Sequence, residues 1–203
     1  MRRWVVAPDT RRHQVRAHRV GNMPLRVHDF DWPDRAVIGT IGLPGSRTFY
    51  LQVRSGTRMA SIALEKQQAD QLAEKIDEIL DQLRTVEGNP FSVPTNTPPE
   101  LVDNDPLEAA SEDFRAGAMS LGWDQATAQI IIEAYPLVEV DDESDIPEDG
   151  ALETEMLLVR MPVGSARAFA KRAHEIVGAG RPACPLCGYP IDADGHTCTL
   201  PED

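Results

Sequence analysis

Cysteine is scarce in this sequence and confined to one place: its three residues, Cys184, Cys187 and Cys198, fall within fifteen positions near the C-terminus. An odd number with two of them spaced C-x2-C does not read as a disulfide framework, and it fits a reducing compartment. Long hydrophobic runs are missing as well. No stretch approaches the roughly 20 apolar residues of a membrane-spanning helix, and Trp4-Val5-Val6-Ala7 is too short for the apolar core of a signal peptide. A cytoplasmic protein that does not enter membranes is the expectation. Positive charge is outnumbered, with 20 Lys and Arg against 33 Asp and Glu and a net charge of −13. That balance argues against a protein whose main business is coating duplex nucleic acid or lying on an anionic bilayer. Nucleophile motifs, glycine-rich phosphate loops and paired-histidine signatures are also lacking. Gly39-x-x-Gly42 reads as a glycine-bearing strand, and His28, Asp29 and Asp31 as a solvated strand edge.

What is there suits an ordinary globular chain of 203 residues, 41% hydrophobic and 26% charged, with sixteen prolines that imply substantial loop. Residues 1–23 hold Arg2, Arg3, Arg11, Arg12, Arg16 and Arg19 against one acid, Asp9, and read as a disordered basic extension. Residues 24–84 read as a first β-meander plus helix. Pro44-Gly45 and Ser55-Gly56 mark its turns, and Phe49, Leu51 and Val53 alternate toward one face. Its helix carries the apolar stripe Ala69, Leu72, Ala73, Ile76, Ile79, Leu80 and Leu83, with Asp70, Glu74, Asp77, Glu78 and Asp81 as a solvated outer face. Residues 85–110, with Pro90, Pro94, Pro98, Pro99 and Pro106, read as a Pro-rich linker.

Residues 111–180 read as a second β-meander plus helix. Strands are expected over 114–121 and 126–135 around Gly122-Trp123-Asp124, and again near 156–159. An acidic loop at 139–150 is expected to be mobile. The second helix is expected to follow Ser165 as N-cap, with the stripe Ala166, Phe169, Ala170, Ala173, Ile176 and Val177. Ile38-Gly39-Thr40-Ile41-Gly42-Leu43 parallels Ala116-Gly117-Ala118-Met119-Ser120-Leu121, and Ala69, Ala73, Glu78 and Ile79 align with Ala166, Ala170, Glu175 and Ile176. The expected fold is therefore α+β: two similar halves, each an antiparallel strand meander plus a helix, related by a diverged duplication and followed by a small zinc knuckle at 181–203.

The knuckle rests on spacing. Cys184-Pro185-Leu186-Cys187-Gly188 places two thiolates on one turn, and His196 and Cys198 complete a Cys-x2-Cys-x8-His-x-Cys set for tetrahedral zinc, with Asp192 or Asp194 as alternatives to His196. Four protein ligands close the site, so the zinc is expected to be structural rather than catalytic. Leu186, Tyr189, Ile191 and Leu200 would supply about 6–12 kcal/mol on burial. Ordering some fifteen residues costs more, at roughly 1–2 kcal/mol each. Metal binding worth about 10–16 kcal/mol closes that gap.

Beside the knuckle lies a basic group, Arg160, Arg167, Lys171, Arg172, His174 and Arg181, in an otherwise acidic chain. It reads either as a solvated helix face, or one that pairs with the acidic loop or the acidic first helix, or else as a surface for phosphate, single-stranded nucleic acid or an acidic partner. The leading expectation is a non-catalytic binding or adaptor protein that contacts a protein partner through this corner. The alternative is an enzyme acting on a phosphorylated small molecule, with Arg35, Arg47 and His28 gathered in a pocket between the halves.

Several stretches together resemble an actinobacterial family of uncharacterised proteins, a domain of unknown function, over about residues 25 to 198. They are Phe30-Asp31-Trp32-Pro33-Asp34-Arg35, Gly45-Ser46-Arg47-Thr48-Phe49-Tyr50-Leu51-Gln52, Ala63-Leu64-Glu65-Lys66, Leu121-Gly122-Trp123-Asp124 and Gly180-Arg181-Pro182. The resemblance implies no reaction and no catalytic residues. Family genes tend to neighbour phosphomutase-like and kinase-like proteins, which implies only proximity to phosphate metabolism.

Overall fold

The computed structural model describes residues 25–43, 45–137 and 154–179, together with residues 186 and 198. The basic extension, the acidic loop and all but two residues of 181–203 lie outside the described residues. Strand β1 (Leu25–Asp31) is followed by a meander of β2 (Arg35–Ile41), β3 (Thr48–Ser55) and β4 (Arg58–Leu64), and then by helix α1 (Lys66–Arg84). After a connecting segment with a 3-10 turn at Pro99–Leu101, the same pattern returns as β5 (Phe114–Asp124), β6 (Gln129–Pro136), β7 (Thr154–Pro162) and α2 (Val163–Gly178). The expected α+β class and the two meander-plus-helix halves are thus the observed ones.

Local sequence accounts for these elements. On β3, Phe49, Leu51 and Val53 are buried by period-two alternation. On α1, Ala69, Leu72, Ala73, Ile76 and Leu80 of the apolar stripe are fully buried. Gln68 fixes the start of α1 by accepting the Glu65 N–H at 2.8 Å. Its Nε2 donates to Ala116 O and Gly117 O at 3.2 and 3.3 Å, which covers the edge of β5 where that strand leaves β4. The start of α2 corrects the expectation. Ser165 is the third helical residue rather than the N-cap, because β7 runs straight into the helix at Pro162 and Val163 is already buried in the core.

Each half is antiparallel, but the joints are parallel. The seven-stranded sheet has the order β1-β7-β6-β5-β4-β3-β2. β4 meets β5 in parallel over Ile62↔Phe114 and Ala63↔Arg115. β1 lies parallel to β7 from Leu25↔Thr154 to Asp31↔Arg160. Consecutive strands β1 and β2 therefore sit at opposite edges. In a flat sheet those edges would be about 29 Å apart, whereas the three residues Trp32, Pro33 and Asp34 bridge at most about 14 Å. The sheet must curl until its edges meet. The Arg58 guanidinium on β4 donates to Asp29 O on β1 at 2.5 Å and lies 5.0 Å from the centre of the Phe30 ring, across that closure.

The two helices pack on one another, α2 along β2 and α1 against β3 and β5. The glycines matched between the halves serve close approach. A Cβ on Gly117 would stand 2.7 Å from Leu137 Cα, and one on Gly39 would stand 2.5 Å from Leu107 Cγ. Leu107 belongs to the connecting segment, which thereby covers a face of β2 at Gly39.

Candidate functional site

The polar centre of the described molecule lies where β2, β3, α2 and residues 103–108 meet. Arg35, at the start of β2, donates from Nε to Asp103 Oδ2 at 2.6 Å and from Nη2 to Asp103 Oδ1 at 3.2 Å. The same Nη2 reaches Asp105 O and Pro106 O at 2.9 and 3.1 Å, and Nη1 reaches Gln52 Oε1 at 3.4 Å. Arg172, from α2, donates from Nε to Ile38 O at 3.0 Å, from Nη1 to Asp103 Oδ1 at 2.7 Å and from Nη2 to Asp105 O at 2.5 Å; it also bonds Asp103 O. Two guanidiniums therefore share one carboxylate. The hydrogen bond from Arg35, supplemented by the charges of Arg35 and Arg172, holds Asp103 below the usual carboxylate range. The same hydrogen bond raises Arg35, whereas Arg172 is lowered chiefly by its burial.

Beside this cluster is a cleft of about 460 Å³ lined by Asp34, Arg35, Arg54, Asp103, Asp105, Pro106, Leu107 and Glu108. Arg54 closes one wall through Glu108 Oε1 at 3.0 Å, and Asp34 is turned to the Gly56 N–H at 2.7 Å. The cleft wall is a set of charge-assisted hydrogen bonds that fasten residues 103–108 to the sheet.

The residues singled out from sequence do not converge here, Arg35 and Arg172 excepted. Arg47 lies at the far end of the β2–β3 hairpin, donating to Ala179 O at 2.8 Å behind α2. His28 stands on β1 with its ring 6.5 Å from Phe114 and its Nε2 3.8 Å from Glu155 Oε1, beyond hydrogen-bonding distance. Arg35, Arg47 and His28 thus occupy three separate places.

The basic group is likewise dispersed and paired. Arg160 holds Asp29 at 2.7 Å, Lys171 holds Glu175 at 2.8 Å, and Arg167 spans Asp77 and Asp81 of α1 at 2.6 and 2.7 Å. His174 adds a contact to Asp77 at 3.1 Å. Arg181, Cys184, Cys187 and His196 lie outside the described residues, and Cys198 is half-buried. Among the described residues, no group of three or more His, Cys, Asp or Glu side chains is placed to hold a metal.

Asp103 is not legible in the sequence because its surroundings have linker composition. The available signal was Arg172, a cation at the border of the apolar stripe of α2, which needs a counter-charge once buried. No helix among the described residues is long and apolar enough to cross a membrane. Neither a curated protein nor a solved structure matches the chain. A family described as protein of unknown function (DUF3090) matches residues 28–198, from within β1 to the last cysteine, and the chain belongs to that family.

Proposed function

We propose that the chain is a non-catalytic binding protein of the cytoplasm, a rigid curled sheet that presents a zinc-ordered C-terminal module to a protein partner. The observation that carries this reading is the use made of the buried cations. Arg35 and Arg172, the groups a phosphorylated substrate would need, spend their donors on the chain's own carboxylates and carbonyls. They act as fasteners, and a fastened scaffold suits presentation rather than turnover.

Structural zinc held by Cys184, Cys187, His196 and Cys198 is part of the proposal. Its support is the ligand spacing and a family match that runs through all four positions to Cys198. The module follows α2 directly, and the Arg47 tie to Ala179 O fixes the helix end from which it starts. Bound zinc would neutralise thiolate charge and order the turn around Gly188, with no open position for water.

The test is metal content and its consequence. Untreated protein is expected to carry about one zinc per chain, and Cys184→Ser to lose the metal, lower the melting temperature and abolish specific partner recovery from host extract. Less than half a zinc per chain, or an unchanged melting curve in Cys184→Ser, would sink the metal assignment. Turnover of a phosphorylated metabolite by the purified chain would overturn the non-catalytic reading.

A further inference from the structure

Residues 103–108 are held as a groove holds a peptide. Gln52, only 3% exposed, donates from Nε2 to Glu108 O at 3.0 Å and accepts the Glu108 N–H at Oε1 at 2.8 Å. That paired pattern is how a side-chain amide reads an extended backbone. Arg35 and Arg172 read three further carbonyls, those of Asp103, Asp105 and Pro106. Three side chains of the segment are also recognised: the Asp103 carboxylate by two arginines, Glu108 by Arg54, and Leu107 by the bare face of Gly39.

The segment lies outside the hydrogen-bond ladder of the sheet. Residues 102–113 have no regular structure and none of them is buried. The backbone bonds bracket the stretch, with Val102 N–H to Pro99 O on one side and Asp113 N–H to Ser61 O on the other. Its departure would break no strand ladder. It would uncover Arg35 and Arg172, whose side chains are 10% exposed with the segment in place, and leave them side by side without their shared carboxylate. Two neighbouring guanidiniums without a counter-ion favour an acidic occupant.

We propose that the groove formed by Arg35, Gly39, Gln52, Arg54 and Arg172 is a binding site for an extended acidic segment of a partner protein, and that residues 103–108 occupy it in cis. The matching segment carries Asp at the place of Asp103 and Leu four residues later, followed by an acid. Displacement of the cis segment opens the site, so intrinsic affinity is masked in proportion to the closed population. The inference rests on the reading of the chain as a binding protein but not on its zinc module.

The probe is a fluorescein-labelled synthetic peptide with the sequence of residues 101–110, titrated into the full-length chain and followed by anisotropy. Leu107→Ala, and Asp103→Asn combined with Leu107→Ala, weaken the cis segment while leaving the groove intact. Each is expected to bind the peptide at least ~10-fold more tightly than wild type, with the double variant ahead. Peptides carrying Asp103→Asn or Leu107→Ala are expected to lose at least ~10-fold in turn. Should the double variant fail to fold, the single variant decides, since it keeps every ion pair of Asp103. No saturable binding by folded Leu107→Ala, or equal binding of a scrambled peptide, overturns the proposal. Dimerisation of the variants without peptide binding assigns the groove to a second copy and overturns it too. Any of these failures leaves zinc content and the melting of Cys184→Ser unaffected, so the two proposals fall separately.

Discussion

Arg167 and Arg172 are five residues apart on α2 and each is 8% exposed, yet they hold different things. Arg167 joins two rigid bodies. It reaches from α2 to Asp77 and Asp81 on α1, carboxylates 30% and 57% exposed, and those helices already share an apolar interface. Arg172 joins a sheet edge to a segment with no regular structure. Three of its acceptors are backbone carbonyls, and its carboxylate partner is shared with Arg35. Equal burial of equal cations therefore does not mean equal consequence. What counts is whether the partner has any other reason to be in place.

Replacing Arg172 is the largest way to expose that difference. Arg172→Met keeps much of the volume but leaves Ile38 O without its side-chain donor and removes three hydrogen bonds to the 103–108 segment. A loss on the order of 3–4 kcal/mol is expected in urea unfolding, in the range for a broken buried ion pair. Hydrogen exchange should quicken first in 103–108.

Asp103→Asn comes next, at about 2–3 kcal/mol near neutral pH, because it uncouples two guanidiniums at once. Its pH dependence has a definite sign. The folded carboxyl is held below its ordinary range, so the stability it confers is complete above its unfolded pKa of about 4 and is lost as pH falls through the lowered folded value. The gap between wild type and Asp103→Asn should stay flat from about pH 7 to 5 and close below about 4. A gap that widens in acid would contradict this assignment.

Gly39→Ala tests the apolar anchor without touching charge. The new methyl group would meet Leu107 Cγ at 2.5 Å, so the leucine must shift or lift off. About 1–2 kcal/mol of destabilisation is expected, with the ion pairs of Arg172 kept and the Leu107 end of the segment more exposed to proteolysis.

The same contrast explains what sequence showed and what it hid. The strands and both apolar stripes were legible because a period of two or 3.6 is imposed by burial on one side, as at Phe49-Leu51-Val53 and at Ala69-Leu72-Ala73-Ile76. Even the matched glycines 39 and 117 were visible, though not their purpose, since what approaches them comes from distant sequence. The parallel joins of β4 to β5 and β1 to β7 were hidden for the same reason: no local period encodes which strand lies next door. The cluster of Arg35, Asp103 and Arg172 was hidden more deeply. Asp103 lies 68 residues from Arg35 and 69 from Arg172, in a stretch whose prolines and small polar residues read as spacer. The Cys-x2-Cys-x8-His-x-Cys spacing is as clear a local pattern, but all of its Cys and His residues except Cys198 lie outside the described residues.

Arg167→Met should have the smallest effect and is the sharpest check on the comparison. The substitution removes two hydrogen-bonded ion pairs. Yet Asp77 and Asp81 regain water when the arginine goes, since neither is deeply buried, and His174 remains within 3.1 Å of Asp77. The arginine itself is imperfectly served: its Nε–H is buried with no hydrogen-bond partner among the described residues, a defect that a thioether removes. Desolvation of the guanidinium offsets most of what its ion pairs return. Unfolding free energy is therefore expected to change by less than about 1 kcal/mol, and the wild-type advantage, if any, should fade as salt rises from 0.05 to about 0.5 M. A loss as large as that of Arg172→Met would mean that the helix pair, like the 103–108 segment, has no other reason to stay together, and the distinction between the two arginines would fail.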